Sequence, residues 1–391
     1  MKLMNGLVDV RKAAGNCIRC NVCTYSEWPE NYPLCPMYSH EKCFTYSGGG
    51  LMYIAKSLID NKLNFDSKVA DLLYTCPGCL ACDDICEIIP YSEPYISHSD
   101  IVRLMRREAV RRGLISPMKL KEIQAQIKSY EKAVSSININ HNILGIPKSI
   151  YNNNAPRLLF LEWSFLRSQK KVYKSVLSLL EKIGEPIGGI SDSGLSIPEL
   201  YDLGFWDELK KYLNTKFDFP RLKGKQLIFV NPHFQEFFES KLAKFIPGYE
   251  NTRSWHISEV LLESFKRGKL RSKRASKKII VSFHDPCYLG RGLKIYDPPR
   301  SLLSLIDGVE LKEMDRNRRN SFCCGARAGN NYFLDFSRKT AMKRLKEFKE
   351  TGADFLITAC PYCKVIFQKT LNKGEKNRVK DLTEFVEEHI E

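Results

Sequence analysis

The sequence predicts a helical, cysteine-rich front followed by two α/β units in tandem, the second of which carries its own cysteine group. Three observations predict it. Cysteines fall in short repeats near the front, at Cys17, Cys20, Cys23 and Cys35 and again at Cys76, Cys79, Cys82 and Cys86. A further quintet, Cys287, Cys323, Cys324, Cys360 and Cys363, follows the pattern Cys-x35-Cys-Cys-x35-Cys-x2-Cys. Apolar residues recur at helical spacing in the front, whereas after residue 156 strand-sized apolar runs alternate with helices, the pattern of a parallel α/β sheet.

In the front, Cys76-x2-Cys79-x2-Cys82-x3-Cys86 has the spacing in which three cysteines bind one cubane cluster and the fourth belongs to another. Upstream stand Cys17-x2-Cys20-x2-Cys23 and then Cys35-Pro36, separated by the insertion Thr24 to Leu34. Crossing the ligands gives one set of Cys17, Cys20, Cys23 and Cys86 and a second of Cys76, Cys79, Cys82 and Cys35. Glu87 stands after Cys86 where a proline is usual. Structural zinc would use paired cysteines, and the triple CxxCxxC repeats argue against it. Cys43 is left over. Residues 48–61 and 66–74 read as helices. Gly48-Gly49-Gly50 reads as a helix start behind Ser47 and not as a phosphate loop, since no strand precedes it and no Lys-Ser/Thr follows. Residues 101–132 read as a charged amphipathic helix, and 138–156, with its asparagines and prolines, as a linker.

In the rear, 157–161 and 226–230 read as strands, with a helix at 170–183 between them. The plan recurs as strands at 278–283 and 354–358 with a helix at 340–351. Laid over each other, the halves put Trp163 near Cys287, Asp192 and Ser193 near Cys323 and Cys324, and Asn231 and Phe234 near Cys360 and Cys363; Gly194 keeps the glycine after the pair. The first half thus has the scaffold without the thiols. The boundaries read as 1–115 for the helical front, 116–156 for a helical linker, 157–265 for the ligand-free unit and 266–391 for the cysteine-bearing one.

Five thiols are too many for one tetrahedral zinc, and soft thiolates suit a multi-iron cluster. Fourteen cysteines in 391 residues without a signal-peptide-like start suggest metal ligands in a reducing, cytoplasmic compartment. No apolar run reaches transmembrane length. The formal charge of +16 falls once thiolates are counted. Two basic runs, Lys266 to Lys278 and Arg103 to Arg112, lack the aromatic interleaving of nucleic-acid binders. They read as a solvated linker and a solvated helix face.

The quintet, with His284-Asp285-Pro286-Cys287, Phe322-Cys323-Cys324-Gly325 and Cys360-Pro361-Tyr362-Cys363, resembles the cysteine-rich (CCG) domain of heterodisulfide reductase-type proteins. The front is similar to helical dicluster ferredoxin domains such as those of fumarate and succinate dehydrogenase iron-sulfur subunits. The whole chain resembles a fused family that includes the D-type subunit of heterodisulfide reductase, the C-type subunit of anaerobic glycerol-3-phosphate dehydrogenase and the iron-sulfur subunit of glycolate oxidase. The resemblance implies an α-helical dicluster ferredoxin domain followed by a duplicated α/β cysteine-rich pair, the first copy without ligands. It implies two cubane [4Fe-4S] clusters and one non-cubane [4Fe-4S] cluster, the last on Cys287, Cys323, Cys324, Cys360 and Cys363 as the reactive site. His284, Arg291 and Lys364 are the candidates for tuning that cluster through charge or an N–H near the sulfurs. The implied role is an oxidoreductase subunit relaying electrons between a flavoprotein partner and a quinone, thiol/disulfide or other carrier, peripheral to a membrane only through a partner. The alternative is disulfide reduction at the quintet itself. No Gly-x-Gly-x-x-Gly fingerprint is present, so flavin or nicotinamide chemistry is expected on another polypeptide.

Overall fold

A computed structural model describes residues 7–25, 33–86, 95–117, 120–121, 124–125, 146–162, 169–191, 197–216, 222–246, 254–326 and 334–391. The front is helical, built from α1 (Leu7–Gly15), α2 (Pro36–Glu41), α3 (Gly48–Ile59), α4 (Ser67–Thr75), α5 (Ala81–Ile85) and α6 (His98–Arg111). Local chemistry starts these helices. The Ser47 hydroxyl accepts the Gly50 N–H at 3.1 Å, Asp66 accepts from Val69 at 3.0 Å and Ser97 from Asp100 at 3.2 Å, each satisfying a donor that the first turn leaves free. Leu51, Met52, Ala55, Leu73, Ile101 and Met105 form the shared core.

Two sequence expectations need correction here. The helix expected over 101–132 is interrupted: α6 ends at Arg111, Gly113 (φ +65°) takes the left-handed turn that stops it, and the described residues 117, 120, 121, 124 and 125 are helical again. Its arginines are not a solvated face throughout. Arg111 and Arg112 pair outside with Glu108, but Arg103 and Arg106 are buried. Residues 197–203 cover that side of α6, so Arg103 Nε meets Asp202 at 2.7 Å and Arg106 Nη1 donates to the Asp202 carbonyl at 2.9 Å.

Among the described residues the rear holds two parallel four-stranded sheets. The first contains β1 (Arg157–Leu161), β2 (Gly188–Ser191), β3 (Gln226–Phe229) and β4 (Ser254–His256) in the order β2-β1-β3-β4. The second contains β5 (Ile279–His284), β6 (Val309–Leu311), β7 (Phe355–Thr358) and β8 (Val379–Asp381) in the order β6-β5-β7-β8. Around the first lie α7 (Lys170–Ile183), α8 (Ile197–Leu203), α9 (Trp206–Lys216), α10 (Pro232–Ser240) and α11 (Ile257–Lys266). Around the second lie α12 (Asp297–Ser304), α13 (Leu334–Thr351), α14 (Pro361–Thr370) and α15 (Leu382–His389).

Packing between the sheets is reciprocal. The helix after β1, α7, packs on α15, the last helix of the chain, while α11 packs on α12. Val172, Val176, Leu179, Val260, Leu261, Leu302, Leu303, Phe385 and Val386 share one core there. Each such side chain contributes about 1.5–3 kcal/mol by leaving water. Both fourth strands lead into a helix through a capping box, His256 with Glu259 and Asp381 with Glu384.

Burial raises the Asp381 carboxyl from its ordinary 3.8 to about 6. The folded chain therefore holds that proton more tightly than the unfolded chain does. This favours the fold below about pH 4 and is lost as pH rises through about 6, a change of roughly 2–3 kcal/mol. Asp381→Asn keeps a capping oxygen and removes the charge. It is expected to flatten that segment of the stability–pH curve, measured by urea denaturation at pH 4, 6 and 8.

Candidate metal centre

Three groups of thiols come together. Cys17, Cys20, Cys23 and Cys86 line one cavity of about 420 Å³ with Ile18, Asn21, Val22, Gly49, Ile85 and His98. Cys35, Cys76, Cys79 and Cys82 line a second, more enclosed one with Gly48, Pro77, Gly78 and His98. Cys23 also reaches this second cavity. The two front motifs are thus interleaved in space, Cys86 joining the upstream group and Cys35 the downstream group. Cys43 is exposed and lines neither cavity.

Backbone geometry sets these thiols in place. The N-terminus of α3 runs between both cavities, and a Cβ at Gly48 would stand 2.9 Å from the Cys82 Cβ and 3.3 Å from the Cys23 Sγ. A side chain there would push into the sulfurs, which explains a glycine at that position. Gly50 is equally constrained, since a Cβ would lie 2.0 Å from the Phe44 carbonyl oxygen.

The quintet gathers at the C-terminal ends of β5 and β7, where open parallel sheets place their sites. Cys287 enters a single π turn, Tyr288–Gly292, and Cys360 is the N-cap of α14. Cys324 and Cys363 are 3.1 Å apart. Cys323 interacts with Cys287 and Cys324, and Cys363 with Cys360, so the five form a continuous group. Cys323 also packs against Cys79 of the second front site.

Burial pushes the Cys23 thiol up to about 12 and that of Cys35 higher still. In the metal-free chain these groups hold their protons, so binding of a metal centre releases them. The donor sets are sulfur throughout, apart from His98 and Asp83 beside Cys82 and His284 beside Cys324 and Cys363. Such sets fit iron-sulfur chemistry, and the Cys76–Cys82 and Cys17–Cys23 spacings match its ligand runs.

The three tuning candidates have different surroundings. The His284 Nδ1 accepts from Arg344 Nε at 3.2 Å, which leaves the proton on Nε2. That Nε2 finds no nitrogen or oxygen partner and lies among Cys324 and Cys363. Burial lowers the imidazole below its ordinary value, so it is neutral. Arg291 holds three carbonyls, those of Arg319 (3.0 Å), Cys79 (3.0 Å) and Ser321. It therefore joins the second front site to the segment before Cys323. Lys364 is in a buried pair with Glu384 of α15 at 2.8 Å, an anchor between helices.

Two further side chains hold the quintet's loops. Asp285 takes a bidentate pair from Arg300, at 2.7 and 2.9 Å, and the Arg318 N–H at 2.8 Å, which fixes the turn before Cys287. Arg344 is fully buried between His284, Ser321 and Glu347. Asp285 is visible in the motif, but nothing in the sequence gives it a role; Arg344 has no local signal, being one arginine on a charged helix.

Comparisons with known proteins agree with this chemistry. Residues 281–368 match the CCG family, described as "Cysteine-rich domain". The chain is 35% identical over 151 residues to the D-type subunit of the dihydromethanophenazine:CoB–CoM heterodisulfide reductase of Methanosarcina acetivorans, covering 38% of this chain and 31% of the relative. Residues 281–368 thus carry a CCG cysteine-rich domain, and this chain is similar in part to heterodisulfide reductase D-type subunits. A probable membrane-anchored ferredoxin of Chromohalobacter salexigens is 24% identical over 81% of this chain and 48% of its own length. The EtfAB:quinone oxidoreductase of Syntrophomonas wolfei is 26% identical over 56% of this chain and 32% of its own. The chain spans less than half the length of these curated relatives. Among the described residues no helix is long and apolar enough to cross a membrane.

Proposed function

We propose that this chain is the iron-sulfur electron-transfer subunit of a larger oxidoreductase. Cys17, Cys20, Cys23 and Cys86 would hold one cubane, Cys35, Cys76, Cys79 and Cys82 another, and the quintet a non-cubane [4Fe-4S] cluster. When bound, these groups supply one-electron transfer. The observation that carries the reading is the contact of Cys79 with Cys323, which leaves no gap between the second and third thiol sites. The residues then form a row from the surface inward. At its outer end Cys20 is exposed, and Ile18 (64% exposed) and Val22 (57%) present apolar surface beside it. A redox partner, a flavoprotein in this reading, would dock there; at the far end the quintet would meet a quinone, thiol/disulfide or other carrier. A membrane association would come through a partner, in keeping with relatives named for quinone and for membrane anchoring.

The first α/β unit is read as a copy that lost its ligands. Its strand order matches that of the second unit, and it has the same capping box after the fourth strand. Taking the Phe160–Phe229 pair over the His284–Thr358 pair puts Asn231 on Cys360 and residue 163 on Cys287. Asn231 stands at the N-cap of α10 as Cys360 stands at that of α14, but its side chain accepts the His233 N–H and donates to Glu162 at 2.8 Å. Phe234 is buried against Phe160, with ring centroids 5.1 Å apart, so apolar volume stands where a cluster would lie. Trp163, Asp192, Ser193 and Gly194 lie outside the described residues. The domain limits 1–115, 116–156, 157–265 and 266–391 belong to the same proposal.

Anaerobic reconstitution is expected to load about twelve iron atoms per chain, with matching sulfide, as three four-iron clusters require. Zinc-loaded protein without sulfide would sink the reading. Cys43→Ser should leave the iron count unchanged.

A further inference from the structure

Arg106 and Arg291 are buried, 5% and 4% exposed, and neither has a carboxylate partner among the described residues. Arg106 donates only to carbonyl oxygens, those of Leu73 (2.8 and 3.2 Å), Asp202 (2.9 Å) and Cys76 (2.6 Å). Arg291 likewise donates only to the carbonyls of Arg319, Cys79 and Ser321. The neighbouring Arg103 differs, because Asp202 and Asp100 neutralise it. Two unbalanced guanidiniums therefore grip the backbone of Cys76 and Cys79, the two ends of one Cys-x-x-Cys turn.

An unpaired buried charge is costly unless a counter-charge stands close by. The group of opposite sign implied here is the thiolate-ligated centre of the second front site. Asp83 is the carboxylate facing the same sulfurs, at 3.9 Å from the Cys82 Sγ. It is one carboxylate against two guanidiniums, so it offsets part of the positive charge at this site and leaves the rest. Among the described residues the first site has no buried lysine or arginine beside it, and Arg19 is exposed over the Tyr53 ring.

From this asymmetry we infer that the Cys35/Cys76/Cys79/Cys82 site is the electron sink of the front, reduced at a higher potential than the Cys17/Cys20/Cys23/Cys86 site. The inference rests on the ligand assignment proposed above and adds a direction to it. Reducing the second site adds one negative charge beside two buried positive ones, whereas the first site has beside it only the solvent-screened Arg19. An external one-electron donor at the exposed site would lose an electron, the second site would gain it, and no proton need move. Flow would run inward, toward Cys79 and Cys323. Arg106 and Arg291 are positioning residues in this scheme: they act on the centre through charge and do not ligate it.

The test is potentiometry followed by EPR on the anaerobically reconstituted full chain. Cys20→Ala should remove the lower-potential cubane signal and leave the higher one, an assignment that needs no arginine variant. Arg106→Gln and Arg291→Gln should each lower the potential of the remaining cubane. A tenfold fall in its reduced-to-oxidised ratio at fixed potential corresponds to about 59 mV for one electron. The Cys17-side signal should not move. Survival of the lower-potential signal in Cys20→Ala, or unshifted potentials in both arginine variants with full iron content, would overturn the inference alone. Absence of any iron-sulfur signal dependent on Cys76, Cys79 and Cys82 would overturn the ligand assignment and the inference with it.

Discussion

Cys79→Ala is expected to remove one four-iron centre and to cut the second thiol site off from the quintet. The side chain is a candidate ligand, and it packs directly on Cys323. The neighbouring Cys323 side chain, with Arg291 adding to the effect, holds its thiol below the ordinary cysteine value. Its carbonyl is also one of the three that Arg291 grips. Iron should fall from about twelve to about eight atoms per chain. Chemical stability of the front should fall with it, because bound metal is part of the folding free energy of such regions. The EPR signal of the quintet should remain. Rapid-mixing reduction by a protein donor too large to reach the quintet should become at least about a hundredfold slower. Loss of the quintet signal together with the cubane would mean that Cys79 serves both centres, and full iron content would remove it from the ligand set.

Lys364→Met is expected to destabilise the rear by about 3–5 kcal/mol without changing the iron content, because it strips the partner from a buried carboxylate. Glu384 accepts from Lys364 Nζ at 2.8 and 2.9 Å and also accepts the Asp381 N–H at 2.9 Å as part of the α15 capping box. Neither oxygen can recover water in the folded chain, since Glu384 is buried with Asp381 and Thr383. Urea denaturation of the reconstituted protein measures the effect. A large change in the quintet's potential at unchanged stability would instead return Lys364 to the role its position next to Cys363 suggested. The buried pair favours the structural outcome.

Much of this molecule was legible in the linear sequence because its chemistry is carried by cysteine spacing. Thiols that share a centre must fall on tight turns, so Cys76-x2-Cys79-x2-Cys82 and Cys360-Pro361-Tyr362-Cys363 announce themselves without any tertiary knowledge. Alternating apolar runs and helices likewise revealed the strands β1, β3, β5 and β7. The outer strands were not visible: Gly188–Ser191, Ser254–His256, Val309–Leu311 and Val379–Asp381 are short and lack the continuous apolar run that marks β3 and β7.

Charge was misread for a different reason. Arg103, Arg106, Arg111 and Arg112 look alike along the chain, yet the first two are buried and the last two lie in solvent. Helical periodicity says which residues share a face; it does not say what will cover that face, and α8 with its Asp202 comes from almost a hundred residues away. The same holds for Arg344 on His284, for Arg291 spanning Cys79 and Ser321, and for Cys79 against Cys323. Local spacing by itself determined which thiols are candidates to act together, because ligation demands short-range geometry. Only the tertiary structure decided how the three sites adjoin and where the unbalanced charges sit, because those depend on contacts between segments far apart in the chain.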